Sequence, residues 1–325
     1  MKQLLPFQIS SEISFVNHLD HFLARCGIKR MQHTVKPGLY ALGKPDKDSS
    51  VFVTANYTLS FDALRSSLIG RDAYVLVLDT RGINVWCAAG KGNFGTKELI
   101  SKIESTGLKK MVEHQILILP QLGATGVSAH QVNQASGFKV EYGPVRAEDL
   151  PEYLKTHHST LEMRKVRFDL KDRLTLAPVE MVNSFIPMLI IAGIMYLLGG
   201  WINLFWVLAA WFSATVLFLA VLPLIPTREF STKGFLLGLL ITIPFAAFQF
   251  LQNGNPIWQN LMRVVPMGLT MTAILSYFTL NLTGSTLITC WTGVRHEIFK
   301  YTPIIAWMAG SGIILSIVKL LVIGR

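Results

Sequence analysis

Residues 82–96 of this 325-residue chain read GINVWCAAGKGNFGT and surround one of its three cysteines, Cys87, with small residues. Asn84 has the side chain of a helix N-cap, residues 85–89 can complete about one helical turn, and Gly90 with Gly92 can end it. Cys87 then falls at the third helical position, near Lys91. The helix dipole and a cation favour a thiolate there, one that can ligate a metal or act as a nucleophile. The alternative is a small buried cysteine, common in α/β domains. Trp86, the alanines Ala88 and Ala89, and Gly90, Gly92 and Gly95 lean toward the first reading, because they suggest a flat surface under a broad planar ligand.

A second chemistry competes for the same stretch. Residues 90–95, including Lys91 and Phe94, match G-x-G-x-x-G before a helix, as a dinucleotide fingerprint does. In that fingerprint the first glycine turns directly off the strand, whereas here about ten residues follow Asp79. A phosphate-cradling P-loop fares worse, since no Gly-Lys-Ser/Thr follows.

The elements that must position Cys87 follow from periodicity. Residues 11–25 carry apolar residues at helical spacing, with Ser11 as a cap candidate. Residues 38–42, 51–55, 74–78, 115–119 and 138–142 read as strands, and residues 60–68, 96–105, 129–134 and 149–157 as helices. This alternation predicts an α/β fold, a Rossmann-like, doubly wound parallel sheet, whose ligands bind beyond the carboxyl ends of the strands. The loops at residues 54–57, 81–95 and 120–130 should converge there.

Composition divides the chain. Residues 1–180 hold 23 Lys and Arg against 18 Asp and Glu, and residues 181–325 hold 7 against 2. Neither part concentrates the basic charge that nucleic-acid binding needs. The expected organisation is a cytoplasmic α/β domain at 1–160, a basic linker at 161–182 and an all-α membrane domain at 183–325. Its five apolar spans are about 185–198, 201–222, 234–251, 264–282 and 303–321. Basic residues before the first span and after the second and fourth place the N-terminal domain in the cytoplasm and the C-terminus outside an inner, multi-pass membrane. The three scattered cysteines, with no CxxC pair, exclude a self-held iron–sulfur cluster and suit a reducing compartment. Cys26 and Cys290 read as structural, and His157 and His158 as solvated.

Asn84-Val85-Trp86-Cys87-Ala88-Ala89-Gly90-Lys91 resembles the cap-helix signature of the mercury-methylating corrinoid proteins, the membrane-bound members of the mercury methylation pair. Their corrinoid domain is similar to that of the corrinoid iron–sulfur protein of the acetyl-CoA pathway. The resemblance implies a corrinoid-dependent methyltransferase that carries a methyl group on cobalt and transfers it to Hg(II). Cys87 would be the lower axial ligand of a cobalamin-type, base-off corrinoid. It also implies that Thr54 lies near the cofactor and that Gly123, Ala124, Thr125, Gly126, Val127 and His130 hold the corrinoid's nucleotide tail. The implied partners are a ferredoxin with two four-iron clusters, a methyltransferase drawing on a methyl-folate-type donor, and the membrane. A membrane-tethered methyl carrier of one-carbon or acetyl-CoA metabolism is the alternative.

Overall fold

The computed structural model describes residues 5–252, 254–283 and 291–324. The chain forms two compact units, Met1–Val166 and Arg167–Arg325.

In the first unit, β1 (Phe7–Ile9), β2 (Gly38–Leu42), β3 (Val51–Ala55), β4 (Ala73–Leu78), β5 (Ile116–Leu119) and β6 (Lys139–Tyr142) form one sheet in the order β1-β2-β4-β3-β5-β6. Strands β4, β3, β5 and β6 are mutually parallel, but β2 runs antiparallel to β4. The sheet is therefore mixed, not wholly parallel. The cause is local: the short connection over residues 43–50 holds no helix, and a parallel return needs a crossover of a dozen or more residues. Residues 7–9, unassigned from the sequence, extend the sheet beside β2.

Both faces of the sheet are covered, as the continuous apolar strands require. The two-residue period sends Val51, Val53, Leu76 and Leu117 to one core, and Phe52, Val75, Val77 and Ile118 to the other. Helices α3 (Val85–Lys91), α4 (Thr96–Thr106) and α5 (Ala129–Ser136) supply the first core; α2 (Thr58–Ser67) and α6 (Leu150–Thr156) supply the second.

Helix α1 (Phe15–Arg25) is attached by its polar face. Ser14, not Ser11, caps it, in a reciprocal box with Asn17. Asp20 accepts from Thr58 Oγ1 at 2.7 Å and meets His33 Nδ1 at 2.7 Å, while His21 Nε2 lies 2.7 Å from Asp62. Arg65 binds Asp62 and donates to the carbonyls of Ser10 and Glu12. The apolar face points outward instead: Phe15, Val16, Leu19 and Phe22 are exposed.

The second unit is helical. Among the described residues it has four helices long and apolar enough to cross a membrane, against the five segments expected. The difference lies in the first, Leu170–Leu224, which absorbs two of those segments. Its helix Ala177–Phe212 is broken at Gly199 and Gly200; Gly200, at φ 68° and ψ −155°, takes a conformation that only glycine adopts freely. Beyond the break the chain doubles back: Trp211 Nε1 donates to Ser184 Oγ at 2.9 Å and Arg173 Nε to the Leu219 carbonyl at 2.8 Å. Helices Phe230–Gln252, Ile257–Leu282 and Trp291–Val322 follow, so Arg295 and Lys300 lie within the last helix and not in a loop. Cys290, read from the sequence as structural, falls outside the described residues.

Burial opposes protonation of His33, but its hydrogen bonds to the Ile28 carbonyl and Asp20 prevail and raise its pKa. Burial likewise opposes ionisation of Asp20, and its bonds to His33 and Thr58 overcome that and lower its pKa. The histidine's contribution is complete below its unfolded value of about 6.5 and is lost as pH rises through the raised folded value; the aspartate's is complete above about 4 and is lost on acidification through its lowered one. Hydrogen-exchange protection factors of α1 should fall as pH rises from about 6.5 through the raised folded value of His33, and His33→Gln should flatten that dependence. A wild-type profile flat over this range would contradict the linkage.

Candidate functional site

Four parallel strands end at Ala55, Leu78, Leu119 and Tyr142, on one edge of the sheet. A cavity of about 340 Å3 opens there, walled by Phe52, Leu64, Trp86, Leu119 and Pro144. Thr54, Tyr57, Ser60 and Asn84 are its polar lining. Thr54 is 3% exposed, and among the described residues no hydrogen bond occupies its hydroxyl. Burial raises the Tyr57 phenol above its usual pKa, against the opposing pull of Arg25 and Arg30.

The loop that delivers α3 is fixed by Asn56, which is 5% exposed. Its Oδ1 accepts from Thr80 N at 3.0 Å, Thr80 Oγ1 at 2.8 Å and Gly82 N at 3.1 Å. Its own N–H donates to the Leu78 carbonyl at 3.0 Å, and its carbonyl accepts from Val35 N at 2.9 Å. Thr80 Oγ1 also donates to the Ile83 carbonyl at 2.6 Å. One carboxamide thus ties the end of β3 to the turn after β4. The sequence held a signal for it, a polar residue directly after a buried strand, but not the identity of its partners.

From that turn, Asn84 starts α3: its Oδ1 accepts from Cys87 N at 2.9 Å, and Gly92 ends the helix in a left-handed conformation. The short helix divides by face. Val85, Ala88 and Ala89 are buried in the core, and Phe94 beyond it is wholly buried. The alanines therefore do not build the flat surface suggested by composition. Cys87, Gly90, Lys91 and Gly92 are what α3 exposes, with Trp86 half-buried at the cavity wall. Cys87 is a free, exposed thiol.

Residues 123–127 pack behind α3. A Cβ on Gly126 would come within 2.2 Å of the Phe94 carbonyl and 2.9 Å of Ala89 Cα, and one on Gly123 within 2.6 Å of the Phe94 ring. Gly126 admits backbone against backbone, and Gly123 admits backbone against the Phe94 ring. The Gly126 carbonyl accepts from Thr96 N at 3.2 Å, and the Val127 carbonyl from Tyr142 Oη at 2.7 Å. Val127 is buried, Ala124 half-buried and Thr125 exposed; His130 is exposed on the first turn of α5. The described residues hold no cluster of three or more His, Cys, Asp or Glu that could bind a metal ion by itself.

The sequence that builds this sheet, cavity and cysteine-bearing helix is similar to proteins of acetyl-CoA chemistry. Residues 29–154 match the family described as CO dehydrogenase/acetyl-CoA synthase delta subunit. The chain is also similar to the gamma subunit of the acetyl-CoA decarbonylase/synthase complex of Methanopyrus kandleri, at 34% identity over 128 residues, 39% of this chain and 27% of that subunit. The gamma subunits of Methanothermobacter thermautotrophicus (31% over 127 residues, 38% and 27%) and Archaeoglobus fulgidus (32% over 123 residues, 37% and 26%) are similar too. The chain spans about a quarter of the length of these curated relatives. The residues of the family match lie in the first unit.

Removing the Asn56 carboxamide leaves the Thr80 and Gly82 N–H groups unanswered in a buried turn, while the Thr80 hydroxyl keeps the Ile83 carbonyl. Asn56→Ala should destabilise the first unit by about 2–4 kcal/mol in denaturant unfolding. Gly126→Ala should cost at least about 2 kcal/mol, because backbone and not a flexible side chain meets the added methyl. A loss under about 0.5 kcal/mol for either would contradict these roles.

Proposed function

We propose that the first unit is a corrinoid-binding methyl carrier of one-carbon or acetyl-CoA-type metabolism, and that Cys87 is the residue it offers to cobalt. The observation that carries the reading is the exposed Cys87 thiol on a capped helix at the carboxyl edge of the sheet, in a chain whose sequence is similar to acetyl-CoA decarbonylase/synthase gamma subunits. The residues fit the group. On its outer face α3 bears a thiol and a lysine among glycines, leaving room for a macrocycle above the thiol. When bound, a corrinoid supplies a cobalt centre that accepts and donates a methyl group.

The chain's own residues supply position and access. Asn84 and Asn56 hold α3 so that Cys87 faces outward. The apolar cavity, with the Thr54 hydroxyl, suits a detached aromatic base, which favours the base-off form. Lys91 and His130, both exposed, are candidates for the cofactor's polar periphery, as are Thr125 and the backbone of residues 123–127. The scattered cysteines hold no cluster, so reducing equivalents come from a separate electron carrier, for which a ferredoxin is suited. The second unit tethers the carrier to a membrane; the doubling back at Gly199 and Gly200 supports two crossings in Leu170–Leu224 and hence five in all.

A second reading has Hg(II) as the methyl acceptor. What favours it is the segment from Asn84 to Lys91, whose thiol is exposed in the way the resemblance to mercury-methylating proteins implies. A thiolate donor to cobalt favours transfer of the methyl with its electron pair to such an electrophile.

Full-length protein isolated without oxygen should carry cobalt and a corrinoid visible spectrum. Cys87→Ala, at an exposed position, should fold normally, change that spectrum and lower methyl transfer by at least roughly 10- to 100-fold. Absence of cobalt would sink the reading, and an unchanged spectrum in the variant would remove the ligand role. Transfer assays with and without Hg(II) separate the two acceptors.

A further inference from the structure

The second unit contains a cavity of about 330 Å3 that membrane tethering alone does not explain. Arg263 and Lys319 both line it, with Asn203, Gln249 and Ser316. Cations inside an apolar helix bundle are costly unless paired or put to use. Among the described residues no acidic side chain forms an ion pair with either. Between residues 181 and 325 the acidic residues are Glu229 and Glu297. Glu229 is engaged by Lys300 at 2.9 Å and by Tyr301, and Glu297 accepts from Ser231 N at 2.6 Å.

Three observations point to an occupant. Arg263 Nε is buried with no hydrogen-bond partner. Gln249 is 7% exposed, lines the cavity, and has no hydrogen bond among the described residues. Where the helix resumes after its break, Ile202 and Asn203 of the first turn line the same space, adding the positive end of a helix dipole to the two side chains. A long cation near a helix end commonly reaches past apolar surface to water. Here both cations turn to one shared cavity.

The neighbouring surface narrows the choice of anion. Met262 and Pro266 form part of the cavity wall and also line an adjoining groove of about 210 Å3 with Leu261, Val265 and Leu315. That groove has almost no polar surface. A cationic pocket beside an acyl-sized apolar groove matches a molecule with a phosphate at one end and a hydrocarbon chain at the other.

We propose that Arg263 and Lys319 form a site for a phosphate-type anion, supplied by the headgroup of an anionic phospholipid whose acyl chain lies in the adjoining groove. Gln249 and Asn203 donate to the phosphate oxygens, and the bound lipid neutralises two charges that the protein leaves unanswered. This site is independent of the cofactor of the first unit.

The test uses the full-length protein in detergent after delipidation, with phosphatidylglycerol, phosphatidylcholine or inorganic phosphate added separately. Phosphatidylglycerol should raise the melting temperature and remain bound in native mass spectra, while phosphatidylcholine and phosphate leave both unchanged. The double variant Arg263→Gln/Lys319→Gln should lose the shift and the bound lipid, whereas Arg228→Gln, at an exposed position, should keep both. If the double variant does not fold, Lys319→Gln alone should lower lipid occupancy in the mass spectrum. Equal responses to the two lipids, or a variant that binds like the wild type, would overturn the site. An equal shift from inorganic phosphate would retain the anion site and overturn the lipid as its source.

Discussion

The carboxamide of Asn56 is the constraint on which the candidate site depends. Parallel strands end in loops, and loops drift unless their backbone groups are satisfied. Asn56 accepts from three donors in the turn after β4 while its own backbone bonds to both β4 and the segment between α1 and β2. Because one residue spans the two strand ends, the start of α3 is set by the sheet, the most rigid part of the unit, and not by the loop's own propensities. The position of Cys87 inherits that rigidity.

Small residues then decide which face of α3 is seen. Gly126 and Gly123 let the backbone of the next loop reach Ala89 and Phe94 closely enough that the helix cannot roll. The buried alanines are the inner half of an arrangement whose outer half is a thiol among glycines. The match to the family described as CO dehydrogenase/acetyl-CoA synthase delta subunit, at residues 29–154, includes the residues of this site.

Much of this was legible locally. The Asn84 cap, the Gly92 terminus and the position of Cys87 between them are all encoded within nine residues, a distance over which propensities act without help from the rest of the fold. The inward turn of Val85, Ala88 and Ala89 was also present in their spacing of three and four, yet a cluster of small residues reads by composition as a surface. What sequence did not convey was pairing across distance. The antiparallel β2, the short β1 and the Asn56 contacts all join segments far apart in the chain, and the outward apolar face of α1 defeats the rule that such a face is buried. That helix is held by ions and hydrogen bonds, which periodicity does not report.

The two sides of the cavity are therefore fastened by different physics. On the α3 side, glycine-mediated backbone contact and buried alkyl groups hold the wall, and these are nearly indifferent to ionic strength. On the α2 side, Tyr57 and Thr58 follow directly from Asn56, and Thr58 leads through Asp20 and His33 into the network that fastens α1. Dissolved ions weaken pairs of that kind where they meet solvent. The cavity thus has one wall indifferent to salt and one whose outer support, the network fastening α1 to α2, is sensitive to it.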